Sequence, residues 1–194
     1  MQKDPLGNTK KCSLNFLGYS EILSLIKSES LRINPFIPEL LSCNKIDLRI
    51  TDELIRLKNT NENFDVKTRN DYSLFFEHEK NSEFIIHPNE RVLMSTIESV
   101  QLSTNLVGIV GLRSTYSRLG WQANTGFVDP GFVGQLTLEI LGSSFPIRVY
   151  SGDAVFHMTL ARVKPQNSWA YEGKYQRQEG PTLPKFKHNR ASDG

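Results

Sequence analysis

The chain has few cysteines, little net charge and no long apolar segment. Its 2 cysteines, Cys12 and Cys43, do not form a C-x-x-C pair, so a disulfide framework and a cysteine-rich zinc site are both disfavoured. Lys and Arg number 23 against 21 Asp and Glu, a balance that does not favour nucleic-acid binding. No apolar run reaches the roughly 18 residues of a membrane span, and no secretory signal is evident. We therefore expect a cytoplasmic protein with no nucleic-acid and no membrane partner.

The composition present is that of one folded domain with polar ends. The chain has 194 residues, enough to bury roughly 70% of its unfolded surface in one core. Residues 1–18 are polar and contain proline and glycine, which predicts a flexible arm. Residues 19–164 are predicted to fold as the domain. Residues 165–194 are polar and rich in Pro and Gly, and we expect a tail that can order over a ligand.

Hydrophobic periodicity predicts an all-β domain with one short helix. Ser20 is a candidate N-cap for a helix that ends near Ser30. Its apolar stripe consists of Ile22, Leu25 and Ile26. Short strands separated by turn residues follow: Ile46–Ile50, Leu54–Leu57, Leu74–Glu77, Phe84–His87, Val92–Ile97, Leu106–Gly111, Gly134–Leu141, Ile147–Tyr150 and Ala154–Val163. This pattern favours a sandwich or a jelly-roll barrel, with residues 58–71 as a polar loop.

A cluster of cations and hydroxyls follows the predicted strand that ends at Gly111. Arg113 and Arg118 flank three hydroxyl residues, which are Ser114, Thr115 and Ser117. Guanidinium groups pair with phosphate oxygens through parallel hydrogen bonds, and hydroxyls add uncharged donors. The cluster is therefore a candidate phosphate site. The alternative is a solvated turn whose arginines pair with surface carboxylates.

Glu139 is the candidate catalytic carboxylate. The two-residue period of a strand places Leu138 and Ile140 on the core-facing side and Thr137 and Glu139 on the other side. Two interpretations remain open for this carboxylate. It is an ordinary solvent-facing side chain, or another subunit covers it and it acts as a general base or acid.

The turn Asp129-Pro130-Gly131 lies between these two segments. It is either a plain loop or a binding element in which Asp129 holds a sugar hydroxyl and Phe127 stacks on a ring. The 4 histidines have no mutual metal-ligand spacing. The zinc signature of nucleotide deaminases, H-x-E followed by P-C-x-x-C, is absent from the sequence. We therefore expect no bound zinc and no permanent metal ion.

Several longer motifs follow one another from about Ile22 to Thr182. They are INPF, IDLRI, HPNERVLMSTIESV, LVGIVGLRSTYSRLG, GFVDPGFVGQLTLE, PIRVYSGD and KYQRQEGPT. The most specific patterns are R-S-x-x-x-R-L-G and D-P-G-F-x-G-x-x-x-L-E. In this order the motifs resemble the dCTP deaminase branch of the dCTP deaminase/dUTPase superfamily.

The resemblance implies a distorted jelly-roll β-barrel, assembled as a homotrimer with nucleotide sites between subunits. It implies zinc-independent deamination of dCTP to dUTP and ammonia. Three alternatives belong to the same fold. They are a bifunctional enzyme that gives dUMP and diphosphate, a dUTPase, and a non-catalytic nucleotide-binding regulator. In the first two, Mg²⁺ would accompany the triphosphate.

The resemblance also assigns roles to residues at matching positions. Glu139 would be the general base that activates water, and Ser114 and Arg118 would position that water. The phosphates would be held by Arg113, Thr115, Tyr116 and Ser117. The sugar and base would be bound by Phe127, Asp129, Thr137 and Leu138. Tail residues closing over the triphosphate would be Tyr171, Lys174 and Gln178.

Two segments depart from the family pattern. The loop of residues 121–125 is shorter than the usual family segment. Phe156 and His157 stand where members often have glycine and then glutamine. The resemblance puts these segments near the base and the nucleotide, so we expect altered contacts to the substrate.

Overall fold

A computed structural model describes residues 15–163 and 169–186. The helices within them are α1 (Tyr19–Lys27) and α2 (Ser114–Arg118). Two 3-10 turns occupy Pro38–Leu40 and Tyr72–Leu74. The strands are β1 (Leu31–Asn34), β2 (Lys45–Leu57), β3 (Phe76–Lys80), β4 (Glu83–Ile86), β5 (Arg91–Leu102), β6 (Leu106–Leu112), β7 (Gln122–Ala123), β8 (Gly126–Val128), β9 (Val133–Leu141), β10 (Ile147–Tyr150) and β11 (Ala154–Arg162). The predicted all-β class is confirmed.

Helix α1 begins earlier than the sequence predicts. Gly18 is its N-cap, so the assignment of that position to Ser20 is wrong. The reason is that the Tyr19 amide donates to the Cys43 carbonyl at 2.7 Å, which satisfies a helix-start donor without a side-chain cap. The predicted apolar stripe does face the core. Its buried members are Ile22 and Leu25.

Nine strands form one antiparallel sheet that curls strongly around a single core. Its order is β7-β9-β5-β2-β11-β6-β8, with β1 added to β5 and β3 added to β2, and β4 and β10 form a separate pair. Strand β2 connects two parts of this sheet. Its early residues pair with β11, and its later residues pair with β5 and β3. The register shifts between Ile50 and Leu54. Such an irregularity bends a strand and increases its twist.

The core lies inside the curl. Leu48, Ile140 and Phe156 come from different parts of the sheet and are each 0% exposed. Burying a side chain of this size contributes roughly 1.5–3 kcal/mol. Helix α1 adds Ile22 to the same cluster. The core therefore fixes the relative positions of β5, β6 and β9, the strands that carry the candidate site.

A buried ion pair joins β2 to β5 at the bend. Glu98 is 1% exposed, and it accepts hydrogen bonds from Arg49 through the amide at 2.8 Å and through Nε at 2.7 Å. Beside it, Thr96 Oγ1 accepts from the Leu136 amide at 2.9 Å. A buried charge needs such partners because its hydration is lost. These contacts hold β9 against β5 where the ladder between them is irregular.

The packed chain begins before the predicted boundary of the arm at residue 18. Phe16 bridges to Ala161, and Leu17 is buried with its amide donating to the Leu160 carbonyl at 2.9 Å. These two residues are therefore not part of a free arm, because removing Leu17 from water favours packing on the sheet. Residues 1–14 of the predicted arm lie outside the described residues.

Residues 58–71 form a loop, as predicted, and the loop packs against the tail. Aromatic rings from the loop, from residues 72–76 that follow it and from the tail form what we term the aromatic cluster, which consists of Phe64, Tyr72, Phe75, Phe76 and Phe186. The Phe64 ring centroid lies 5.1 Å from that of Phe75 and 5.6 Å from that of Phe186. The Tyr72 hydroxyl donates to the Pro184 carbonyl at 2.7 Å. The end of the described tail is thus attached to the loop.

Strands β1, β7 and β8 are absent from the predicted set. Strands β7 and β8 have only 2 and 3 residues, too few for a clear alternation, whereas the 4 residues of β1 do alternate. All three pair with residues distant in the chain. The predicted strands Ile46–Ile50 and Leu54–Leu57 are one strand, β2. Among the described helices, neither is long and apolar enough to cross a membrane.

Candidate functional site

Strands β8 and β9 diverge from a turn at Asp129. Strand β8 pairs with β6, whereas β9 pairs with β5, so an opening forms between the two strands. The Phe132 amide donates to the Asp129 carbonyl at 3.0 Å and closes the turn. Gly131 has a φ of +83°, and a Cβ there would lie 2.4 Å from Ala170 Cβ. Glycine is required because the backbone is left-handed and the tail passes directly over it.

Strand β9 presents the face that the sequence predicts. Leu136, Leu138 and Ile140 are buried, and the residues between them are partly exposed. The side chain of Glu139 is 31% exposed. Within one chain this carboxylate is therefore neither freely solvated nor fully buried, a state between the two interpretations that the sequence leaves open.

Two side chains hold the Glu139 carboxylate. Arg91 Nη1 lies 2.5 Å from Oε1, and Asn124 Nδ2 lies 3.4 Å from Oε2. In the β5–β9 register Leu93 is opposite Glu139 and Arg91 is opposite Leu141. Arg91 is thus a diagonal neighbour of Glu139 on the same face, within reach of a long side chain.

The tail runs along the free edge of β9. The Arg177 amide donates to the Val133 carbonyl at 2.7 Å. The Gln135 amide donates to the Gln178 carbonyl at 3.0 Å, and Gln178 Nε2 returns a bond to the Gln135 carbonyl at 2.7 Å. The tail therefore extends the sheet at this end of β9.

Further along, the tail contacts side chains of β9. The Gly180 amide donates to Gln135 Oε1 at 2.5 Å, and the Thr182 amide donates to Thr137 Oγ1 at 3.2 Å. Strand β7 pairs with the other end of β9, at Ile140 and Leu141. Between these contacts, at Leu138, no described segment pairs with this edge of β9. The Leu136 amide points toward β5, so by alternation along the strand it is the backbone groups of Thr137 and Glu139 that face the uncovered edge.

These elements enclose a cavity of about 590 Å³, a volume in the range of small-molecule sites. Its lining is apolar at Leu57, Phe76 and Leu93, close to Glu139. Phe127 stands at the rim with 72% exposure. The predicted site residues that line this cavity are Phe127, Asp129, Thr137, Leu138, Glu139, Tyr171 and Gln178.

The predicted phosphate cluster forms a separate region around α2. Arg113 is the N-cap of this helix, and its Nε lies 3.0 Å from Asp47 Oδ2. Its Nη1 donates to the Ala154 carbonyl at 2.9 Å. The exposed residues of the cluster are Ser114, Thr115, Ser117 and Arg118. One arginine thus pairs with a carboxylate, and the hydroxyls remain accessible.

A second cavity of about 580 Å³ lies beside α2 and is lined by Ser117, Trp121 and His157, among others. Tyr116 stacks on Trp121 with ring centroids 5.2 Å apart. Burial raises the pKa of Tyr116, the Asp153 charge adds to this, and Arg113 opposes it.

Polar atoms near this second cavity lack partners within the described residues. They are Asp47 Oδ1, Trp121 Nε1 and His157 Nδ1. Asp47 and His157 are cross-strand neighbours. Burial lowers the pKa of His157, Lys45 and Arg113 lower it further, and Asp47 opposes them. Buried polar atoms are normally hydrogen-bonded, so these three atoms are exceptions among the described residues.

One chain does not bring all predicted site residues together. Residues 113–118, all of them described, do not line the cavity that holds Glu139. Lys174 is also outside that lining; its ammonium lies 5.2 Å from the Tyr175 ring centroid and 5.5 Å from that of Phe186. Ser114 and Arg118 are therefore not partners of Glu139 within the chain.

Sequence reasoning missed Arg91 and Asn124 as partners of Glu139, and it missed Tyr175 and Thr182 in the cavity lining. The alternation of β5 indicates which face Arg91 occupies, but only the β5–β9 register puts it next to Glu139. Within residues 15–163 and 169–186, no three His, Cys, Asp or Glu side chains are grouped to hold a metal ion.

Sequence comparison places the chain in a family. The model of the dCTP deaminase-like family matches residues 16–163, and the chain belongs to this family. A dCTP deaminase of Acidianus ambivalens is 40% identical over 171 residues, covering 88% of this chain and 98% of that protein. A dCTP deaminase of Saccharolobus solfataricus is 41% identical over 156 residues, covering 80% and 84%. The resemblance inferred from the motifs is confirmed.

Two further comparisons bear on the activity and the fold. A probable deoxyuridine 5'-triphosphate nucleotidohydrolase of Sulfolobus islandicus rod-shaped virus 1 is 39% identical over 165 residues, covering 85% of this chain and 95% of that protein. The crystal structure of 2'-deoxycytidine 5'-triphosphate deaminase from Agrobacterium tumefaciens has a TM-score of 0.62 at 19% identity. That match covers 77% of this chain and 49% of the Agrobacterium chain, so this chain spans about half its length. It supports the fold.

Proposed function

We propose that this protein deaminates dCTP to dUTP and ammonia, with Glu139 as the general base. The observation that carries the proposal is the position of Glu139. It stands on the outer face of β9, partly covered, and lines a cavity of nucleotide size beside Asp129 and Thr137. Relatives with 40% and 41% identity carry the name dCTP deaminase.

The chemistry follows from the carboxylate. Glu139 takes a proton from water while the water oxygen bonds to C4 of cytosine, and it passes that proton to N3, which receives the electron pair of the C4–N3 π bond. Glu139 then moves the hydroxyl proton of the tetrahedral intermediate to the amino nitrogen, so that C4=O forms as the C4–N bond breaks and ammonia leaves. A positioned general base contributes about 10² to 10⁴-fold to such a step. Fixed donors at the developing charge lower the barrier further, a role that Ser114 and Arg118 would have.

The complete site requires a second copy of the chain. Ser114 and Arg118 are exposed on one chain and lie outside its Glu139 cavity. In a homotrimer of distorted jelly-roll barrels, α2 of one subunit would meet the cavity of the next. The exposed hydroxyl and guanidinium groups of α2 support such a contact, since they are accessible to a neighbouring subunit.

Binding roles follow the same division. In the Glu139 cavity, Asp129 would bind the deoxyribose hydroxyl, the open edge at Thr137 and Leu138 would read the base, and Phe127 would pack on a ring. The phosphates would be bound near α2 by Arg113, Thr115, Tyr116 and Ser117. The Tyr171 amide is bonded to the Pro130 carbonyl in the turn before β9, and Gln178 is bonded to β9 itself. Lys174 would approach the triphosphate from the tail.

Hydrolysis of dUTP to dUMP and diphosphate is the second candidate, alone or after deamination. The viral relative named as a probable dUTP-hydrolysing enzyme favours it. Mg²⁺ would then neutralise the triphosphate. Mg²⁺ binds through one or two carboxylates together with substrate phosphates and water, so the triphosphate itself would supply part of its ligands.

Product analysis tests the proposal. Purified protein is incubated with dCTP or dUTP, with and without Mg²⁺, and nucleotides and ammonia are measured. Ammonia and dUTP from dCTP support deamination, dUMP and diphosphate indicate the bifunctional enzyme, and turnover of dUTP alone indicates a dUTPase. Tight binding of dCTP without any product would identify a regulator.

The variant Glu139→Gln tests the assigned base. Its amide keeps the size of the side chain but cannot take a proton, so kcat for dCTP is expected to fall about 10² to 10⁴-fold. Binding of dCTP, measured by calorimetry, should be largely retained. Unchanged turnover would show that another group is the base.

A further inference from the structure

We propose that Arg91 is a positioning residue for the general base: it holds one oxygen of Glu139 so that the other oxygen is left to accept the proton of water. This inference rests on the proposed function. It starts from the contact of Arg91 Nη1 with Glu139 Oε1 at 2.5 Å. The contact to Oε2 is longer, 3.4 Å from Asn124 Nδ2. The two oxygens of the carboxylate are therefore unequally held.

The strand pairing makes this arrangement rigid. Residues 91–95 of β5 are in continuous register with residues 137–141 of β9, with Arg91 opposite Leu141 and Leu93 opposite Glu139. Arg91 thus approaches the carboxylate diagonally, from the Leu141 end of the ladder. Leu93 and Thr137 line the cavity, whereas Arg91 and Leu141 do not. The guanidinium accordingly stands behind the carboxylate and outside the described lining of the cavity.

In this placement Arg91 holds the Glu139 carboxylate but takes no part in proton transfer. Water donates a proton to the less tightly held Oε2 as its oxygen bonds to C4, and Oε2 passes that proton to N3. Oε2 then carries the hydroxyl proton of the intermediate to the amino nitrogen, so that C4=O forms as ammonia leaves. Arg91 exchanges no proton in these steps, because a guanidinium stays protonated. Its effect is on orientation, and a misplacement of about 1 Å in such a group costs up to about 10²-fold in rate.

Replacing Arg91 is expected to leave the stability of the fold nearly unchanged, so a change in the kinetics of its variants reports on the site. Its side chain is 51% exposed, and exposed ion pairs add little to stability. The chain also offers a matched control, Arg148, whose Nη1 pairs with Glu83 on the β4–β10 sheet. The Arg148 side chain is 48% exposed and lies outside the described lining of both cavities.

The experiment compares steady-state kinetics of Arg91→Met, Arg91→Lys and Arg148→Met with dCTP. We expect Arg91→Met to lower kcat roughly 10 to 100-fold with KM unchanged, because orientation and not binding is lost. Arg91→Lys should recover part of kcat, since an ammonium can still hold Oε1. Arg148→Met should keep the kcat of the unmodified protein. Adding Arg91→Met to Glu139→Gln should cause no further loss, because Arg91 acts only through Glu139.

Three results would overturn the inference: an unchanged kcat in Arg91→Met, a rise in KM alone, or an equal fall in kcat in Arg148→Met. None of these results contradicts the proposed function as long as Glu139→Gln is inactive. Turnover that survives in Glu139→Gln would instead remove the proposed base itself. The two failures are therefore distinguishable in one set of assays.

Discussion

At the scale of single residues, the described chain contains polar groups whose environments differ sharply. Glu139 is held by Arg91 and Asn124, and Glu98 is buried with two bonds from Arg49. His157 has an unpartnered Nδ1 within the described residues. In the last of these, partial burial of an imidazole with no partner at Nδ1 favours its neutral form. The last case makes stability depend on pH.

Replacing His157 should reduce the dependence of the unfolding free energy on pH. Burial lowers the pKa of His157 below its ordinary value of 6.5, with Lys45 and Arg113 acting in the same direction and Asp47 against it. The unfolded chain therefore binds the proton first as the pH falls, so this histidine destabilises the fold below about pH 6.5. His157→Gln should lose less stability than the unmodified protein between about pH 8 and pH 5.

Urea denaturation at the two pH values measures this difference. His87→Gln is the control, since His87 is exposed and its replacement should leave the pH dependence unchanged. A His157→Gln variant whose unfolding free energy falls as steeply as that of the unmodified protein would contradict the prediction.

At the scale of elements, the tail and the 58–71 loop act together on the site. The tail bonds to β9 at Val133 and Gln135, and its far end packs through Phe186 on Phe64. The loop has no strand or helix, so these aromatic contacts order it. The aromatic cluster therefore helps to keep the tail beside the Glu139 cavity.

Truncating Phe186 should loosen that end of the tail. Phe186→Ala removes ring contacts to Phe64 while leaving the β9 bonds of the tail in place. Removing a packed aromatic ring costs about 3–5 kcal/mol in a full core, and less at this partly exposed position. We expect KM for dCTP to rise several-fold with little change in the melting temperature, because Phe186 is not part of the buried core cluster.

Limited proteolysis of the tail provides a second measurement. Cleavage in the tail should be faster in Phe186→Ala than in the control Phe145→Ala, which removes a ring that is 48% exposed elsewhere. Equal cleavage rates and an unchanged KM would mean that the cluster does not hold the tail.

At the scale of the whole molecule, the residues assigned to catalysis occupy two surfaces of one curled sheet. Strand β9 and the tail carry Glu139, and α2 carries Ser114 and Arg118 beside a different cavity. A fold of this kind is rigid, since its strands share one core. The two surfaces can meet only if subunits assemble, with α2 of one facing β9 of another.

Mixing two inactive variants tests this assembly. Glu139→Gln and Arg118→Ala each remove one half of the proposed site, so each alone should be inactive with dCTP. If the site is shared, mixed oligomers regain activity at sites that take Glu139 from one variant and Arg118 from the other. For equal, random mixing about a quarter of the sites are restored.

Co-expression followed by purification through tags on both chains supplies the mixed oligomers. An oligomer that contains both variants and stays inactive would contradict a shared site, as would a purified protein that is monomeric and fully active.

Much of the fold could be predicted from local patterns because those patterns have local causes. The stripe of α1 and the alternation of β9 follow from helix and strand periods, and both are confirmed. The boundary at Leu17, the N-cap at Gly18 and the short strand β8 were not predicted. Each depends on a hydrogen bond or strand pairing with a distant segment. The few residues of the feature itself do not indicate such a partner.

By itself, the amino-acid sequence determined the family, the all-β class and the face of β9 on which Glu139 stands, since ordered motifs and side-chain alternation are properties of the chain. Only the tertiary structure decided that Arg91 holds Glu139, that the tail runs along β9 and that α2 is separate from the Glu139 cavity. Those facts depend on strand register and on how the sheet curls. Register and curvature arise from the sum of many long-range contacts, and no local pattern specifies them.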